Sequence, residues 1–112
     1  MALALAVLAL LATACNGGSQ YTAASTAYCL QGQMANGRWV HDGAVAMNTY
    51  PGTNQWVPFG ERFRIENGPL AGKVVTVEDR YGYGTQFDIW MQSCWSANNY
   101  GRRNIVITDL GR

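Results

Sequence analysis

The chain has 112 residues and a mass of 12.2 kDa, enough for one domain around a modest hydrophobic core and too little for two. Eight basic against seven acidic side chains leave a net charge of +1, with no basic stripe to neutralise phosphates, so no nucleic-acid partner is expected. The charge is unevenly placed, because no Asp, Glu, Lys or Arg precedes Arg38.

In chain order, residues 1–15 come first, aliphatic and alanine-rich, and read as the apolar part of an export signal. The run is shorter than the roughly 20 apolar residues that a bilayer-spanning helix needs. Leu11-Ala12-Thr13-Ala14-Cys15 resembles the lipobox of a bacterial lipoprotein, which would make Cys15 a lipid anchor to a membrane. The plainer alternative is a buried helix, apolar on all sides. Residues 16–23 are small and polar and suit a short tether, which leaves 24–112 as the folded domain. Such a chain is expected in the cell envelope, lipid-anchored or otherwise secreted.

Export permits disulfides that a reducing cytosol would not keep. With Cys15 acylated, Cys29 and Cys94 remain as a pair, and their bond closes a long loop. The chain-entropy estimate assigns such a closure about 3 to 4 kcal/mol. Two free thiols are the alternative, and both would be open to oxidants.

Short strands separated by glycine, proline and asparagine follow. They are expected over Ser25–Cys29, Ala44–Met47, Arg62–Glu66, Lys73–Glu78, Phe87–Met91 and Asn104–Thr108. Alternation is clearest in Arg62-Phe63-Arg64-Ile65-Glu66, where Phe63 and Ile65 face inward and the charges outward. Val74-Val75-Thr76-Val77 and Ile105-Val106-Ile107 are apolar on both faces, as in a closed or doubly covered sheet. Turns are expected at Asn36-Gly37, Val57-Pro58-Phe59-Gly60, Asn67-Gly68-Pro69 and Ala71-Gly72. A helical turn or two fits between Ser93 and Tyr100, ended by Gly101. Six short strands with one short helix point to a mainly β chain folded as a small barrel.

Two carboxylates stand out within this pattern. Asp79 closes one strand, Asp88 lies inside the next, and the glycine-broken loop between them lets chain geometry bring both to one cleft. Breaking a glycosidic bond requires a carboxyl that stays protonated near neutral pH, and two acids in a partly dry cleft cannot both ionise cheaply. Asp88, flanked by Phe87, Ile89 and Trp90, has the more apolar setting and is assigned as the acid. Asp79 would stabilise developing positive charge or orient Asp88, with Arg80 tempering its charge. The plain alternative has Asp79 capping a turn and Asp88 paired with an arginine.

Tyr81 and Tyr83, in the loop between the aspartates, are candidate platforms for a sugar ring, with Trp90 and Trp56 behind them. Most of the four tryptophans and six tyrosines are nonetheless expected to be structural. Asn48 is a candidate hydrogen-bond partner for substrate or for the acid, and a turn residue otherwise. His41 is the only histidine, so no metal site of ordinary spacing is expected and no cofactor is implied. A Cys/His nucleophile using Cys29 or Cys94 with His41 competes with the simpler pairing of the two cysteines.

Six segments carry a family likeness. Thr26-Ala27-Tyr28, Met34-Ala35-Asn36-Gly37, Gly43-Ala44-Val45-Ala46-Met47-Asn48, Val57-Pro58-Phe59-Gly60-Glu61 and Val77-Glu78-Asp79-Arg80 with Phe87-Asp88-Ile89-Trp90 resemble, in order, the three-aspartate (3D) domain. The likeness runs from about Ala24 to Leu110. That domain is similar to the catalytic barrel of membrane-bound lytic transglycosylase A and to the rare lipoprotein A domain. The resemblance implies a six-stranded double-psi β-barrel that acts on peptidoglycan glycan strands, between N-acetylmuramic acid and N-acetylglucosamine. Of the family's three aspartates, the second falls on Asp79 and the third on Asp88; the first position holds Asn48, and residues 49–56 form a longer insert than the family pattern has.

Three readings follow. The first is a monomeric, envelope-bound lytic transglycosylase using Asp88 and Asp79. The second is a non-catalytic glycan-binding module of the expansin type, since one barrel can hold sugars without cutting them. The third is an envelope scaffold, which predicts no cleft lined by both aspartates.

Overall fold

The structure, a computed structural model, describes residues 18–112. The segment expected as an export signal, Cys15, expected as a lipid anchor, and the first two residues of the expected tether lie outside the described residues. Six strands and one helix follow one another as β1 (Gln20–Tyr28), β2 (Ala44–Ala46), β3 (Arg62–Ile65), β4 (Val74–Asp79), β5 (Phe87–Trp90), α1 (Cys94–Tyr100) and β6 (Arg103–Gly111). The strands close into a barrel in the order β1-β5-β2-β4-β3-β6. Two neighbouring pairs are parallel, β1 with β5 and β2 with β4, and the other four are antiparallel.

Closure explains how short strands of modest propensity hold together, because it leaves no unpaired edge. Alternation then fills the interior. Phe63 and Ile65 of β3, Val75 and Val77 of β4, Phe87 and Ile89 of β5, and Ile105 and Ile107 of β6 all point inward and are buried, joined by Val45, Met47 and Val57. Phe63 and Phe87 meet edge to face at 6.0 Å, a favoured aromatic geometry. The outward residues are not doubly covered: Val74 is 45% exposed, so the all-apolar runs are one-sided barrel strands rather than central strands of a layered sheet.

Strand ends depart from the sequence expectation in ways that follow from pairing. β1 starts at Gln20, inside the stretch expected as tether, because Gln20 to Ala23 pair with Thr108 to Ile105 of β6. β6 runs on to Gly111 because it also pairs with β3. The β3–β4 connection turns at Gly68, whose φ of 79° suits a residue without Cβ, and the Asn67 side chain accepts from Val106 N at 2.9 Å.

A second, smaller cluster lies on the outer face of the barrel. Met34, Val40, Ala44 and Trp90 are buried there with Tyr28 against them, under the loop between β1 and β2. The Cys29–Cys94 disulfide ties that loop to the first residue of α1. Helix α1 begins where Ser93 accepts from Ser96 N at 3.1 Å, buries Ala97 and Tyr100, and ends at Gly101 with φ 66°. The Tyr100 hydroxyl lies 2.7 Å from the fully buried Ser25 hydroxyl, which satisfies both.

Candidate active site

The centre of the site is Ala46. In the ladder it is the partner of Asp79 on one side, through the parallel β2–β4 pair, and of Asp88 on the other, through the antiparallel β2–β5 pair. Since strands lie about 4.8 Å apart, the two aspartate backbones stand roughly two strand spacings from each other at one level of the sheet. A register shift between Val45 and Ala46 aligns Ala46 with Asp79. Alternation does the rest: Phe87 and Ile89 enter the core, so Asp88 between them points out. A small residue between the two acids leaves an open hollow.

That hollow is a cleft of about 290 Å³ lined by Tyr28, Leu30, Ala46, Asp79, Arg80, Tyr81, Gly82, Tyr83, Thr85 and Asp88. A smaller one of about 160 Å³ adjoins it and shares Tyr28, Leu30 and Asp79. The two acids have different surroundings. Asp79 accepts three hydrogen bonds, from the Tyr28 hydroxyl, Ala35 N and Arg80 N, each 2.9 Å long. Asp88 accepts one, from the Thr26 hydroxyl at 2.8 Å, and Thr26 in turn stands 2.8 Å from the Thr85 hydroxyl. Burial pushes the Asp88 carboxyl above the usual aspartate range; the Thr26 hydroxyl opposes this and the nearby charge of Asp79 adds to it. Tyr28 is raised well above an ordinary phenol, first by burial and then by its bond to Asp79, so it remains a donor.

Neither aspartate belongs to a salt bridge among the described residues. The arginine pairing that a structural role for Asp88 would require is therefore not formed. Asp79 accepts from the backbone amides of Ala35 and Arg80 while still lining the cleft. Arg80 does not form an ion pair with Asp79. Its guanidinium donates to Met47 O at 2.6 Å and lies 4.1 Å from the Phe59 ring centre and 5.2 Å from that of Trp56.

The other sequence candidates divide. Tyr81 and Tyr83 line the cleft; Tyr83 is 94% exposed, and Tyr81 is partly buried with its phenol pushed up by that burial. Asn48 does not line the cleft. Its amide is used in both directions on the backbone of Tyr81, donating to Tyr81 O at 3.0 Å and accepting from Tyr81 N at 3.2 Å. Trp90 is not a surface ring: it is 5% exposed in the outer cluster, with its indole N–H bonded to Leu30 O. The expectation of a sugar contact there fails because alternation in β5 sends Trp90 outward and the β1–β2 loop then covers it.

Three residues were missed. Thr26, Tyr28 and Thr85 surround the acids, and the signal for two of them was available: Thr26 and Tyr28 sit two apart in β1 and so share a face. What the sequence hides is that β1 lies beside β5, with Thr26 opposite Asp88.

His41, Arg38 and Asn36 form a separate group around the Glu78 carboxylate, with His41 Nε2 2.5 Å from Glu78 Oε2. Cys29 and Cys94 are bonded to each other, so neither serves as a nucleophile with His41. Among the described residues no three His, Cys, Asp or Glu side chains are grouped to hold a metal ion. No family model, curated protein or solved structure matches the chain.

Proposed function

We propose that this chain cleaves peptidoglycan glycan strands as a lytic transglycosylase-like enzyme of the bacterial envelope, held there by a lipid on Cys15. The observation that carries the reading is the placing of Asp79 and Asp88 on either side of Ala46, in one cleft and without a salt bridge among the described residues. A 3D-like double-psi barrel is the finer fold in the same proposal. Its support is the closure of six strands with two parallel pairs, β1–β5 and β2–β4.

Asp88, which holds its proton to higher pH than an ordinary aspartate, donates it to the glycosidic oxygen as the bond to the anomeric carbon breaks. Asp79, fixed by three donors, stabilises the positive charge that develops there. The Asp88 carboxylate then takes the proton from the sugar's own C6 hydroxyl as that oxygen bonds the anomeric carbon. The product is a 1,6-anhydro sugar, and no water is consumed. Tyr83 and Tyr81 offer rings for the sugar faces beside the bond.

A non-catalytic glycan-binding module is the alternative, favoured by Asn48 in place of the first family aspartate and by the use of both its amide atoms on Tyr81. The scaffold reading is disfavoured, since the cleft is lined by both acids. The experiment is digestion of purified sacculi with the protein and with Asp88→Asn, analysed by mass spectrometry. Anhydro-muropeptides released by the native protein and lost in the variant support the enzyme. Sacculus binding with no product supports the binding module, and neither result would refute both.

A further inference from the structure

Glu78, next to Asp79 at the end of β4, is a carboxylate that the proposed cleavage does not use. It is 3% exposed, and a buried charge is costly unless it is paired and hydrogen-bonded. Its side-chain partners among the described residues all come from the loop between β1 and β2. Oε1 accepts from Asn36 Nδ2 at 3.2 Å and from Arg38 Nη1 at 3.0 Å, while Oε2 stands 2.5 Å from His41 Nε2. The same loop also meets the backbone of β4, where Asn36 N donates to Glu78 O at 3.1 Å. One residue earlier, Ala35 N donates to Asp79 Oδ1 at 2.9 Å. The loop is thus held to two adjacent acids, of which Asp79 lines the cleft and Glu78 does not.

A buried ion pair often stabilises a protein no better than apolar side chains of the same volume, so stability alone does not account for Glu78. Its partners are instead braced against one another. Met34 N donates to Arg38 O at 2.7 Å and Arg38 N to Asn36 Oδ1 at 3.0 Å, so anchoring Asn36 and Arg38 also anchors Ala35, which lies between Met34 and Asn36. We infer that Glu78 is a positioning residue: its carboxylate latches the β1–β2 loop onto β4 through Asn36, Arg38 and His41, and the latched loop sets the Ala35 N–H on Asp79. This rests on the reading of Asp79 as part of the active site and adds a residue that acts through it. An acid that must meet charge developing in a transition state gains from being held in place beforehand. The latch also shapes the smaller hollow beside the cleft, where Leu30, Gln31, Gly32, Gln33 and Val40 of the same loop form one wall.

The test uses the purified full chain and measures hydrogen exchange at the Ala35 amide by NMR, with Asp79→Asn marking the signal that depends on that carboxylate. In the native protein this amide should exchange slowly. Glu78→Gln, and separately His41→Ala, should speed its exchange about tenfold or more, the scale of a lost charge-assisted bond. His41 is partly exposed on the loop, so its variants carry the test if Glu78→Gln does not fold. His41→Gln, which keeps an N–H for Glu78, should restore part of the protection. On soluble peptide-free glycan strands the same variants should lower kcat in the same order and leave KM within about twofold, because Asp79 acts on charge that develops in the transition state. Native exchange at Ala35 or native kcat in Glu78→Gln and His41→Ala would overturn the inference, whatever their melting temperatures, as would an Ala35 amide indifferent to Asp79→Asn. Absence of any product from the native protein would instead remove the glycan reading, with the Ala35 amide still deciding whether the latch exists.

Discussion

The inner and outer faces of the same three strands do opposite jobs. On the inside of β5, β2 and β4, Phe87, Ile89, Val45, Val75 and Val77 form a dry interior with hardly a polar atom. On the outside, Asp88 and Ala46 lie one residue beyond Phe87 and Val45, and Asp79, two beyond Val77, is brought level with Ala46 by the register shift in β2–β4; the three define the cleft. A strand's period of two, with one register shift in β4, thus writes a core and a candidate site into the same few residues. The contrast also sets what each face tolerates. The interior is bound by close packing, whereas the cleft holds a carboxyl raised by burial that stability alone would not select.

The contrast is broken most severely by Phe87→Ala. It empties ring volume against Phe63 and is expected to cost about 3–5 kcal/mol, measured by denaturant unfolding. A loss under about 1 kcal/mol would mean the barrel interior is not the packed element described.

Its neighbour Asp88→Asn is expected to do the reverse. Activity on sacculi should fall about 10²–10⁴-fold, the usual contribution of a general acid. Stability at neutral pH should rise. The folded protein holds the Asp88 proton to higher pH than the unfolded chain, so stability falls as pH climbs from the ordinary aspartate value through the raised one. The charged carboxylate therefore costs stability at neutral pH, and asparagine removes that cost while still accepting from Thr26. A lowered melting temperature at pH 7, unchanged by acid, would contradict this assignment.

Asn48→Asp sharpens the comparison at the cleft's edge. The new carboxylate lacks the N–H that Tyr81 O needs, so a loss of about 1 kcal/mol and weaker glycan binding are expected. Thermal unfolding and sacculus pull-down read both. The smallest effect belongs to Tyr83→Ala, which should leave the melting temperature unchanged and weaken glycan affinity by roughly 1 kcal/mol. A clear loss of stability there would show that the ring is structural.

Much of this division was legible in the chain. Phe63 and Ile65 were readable from their alternation with charges, and the Asn67-Gly68-Pro69 turn from its own chemistry. Asp79 and Asp88 could be set near one cleft because both flank one short loop. What escaped depends on partners far away in sequence. The strand at Gln20 exists because Thr108 receives it, and Tyr28 acts on Asp79 from 51 positions away in sequence. Trp90 misled because its exposure is decided by the β1–β2 loop rather than by its own strand. Asn48 looked like a substrate contact because its reciprocal bonds go to the backbone of Tyr81, and nothing in the sequence marks a backbone partner.

The claim beneath all of this is that the Asp79 charge and the Asp88 carboxyl share one cleft closely enough to act on each other. Carbon-detected NMR titration of the aspartate carboxyls tests it without any ligand. Asp88 should titrate above the ordinary aspartate value and move down when Asp79→Asn removes the neighbouring charge. An Asp88 that titrates at or below the ordinary value, and is indifferent to Asp79→Asn, would contradict the account.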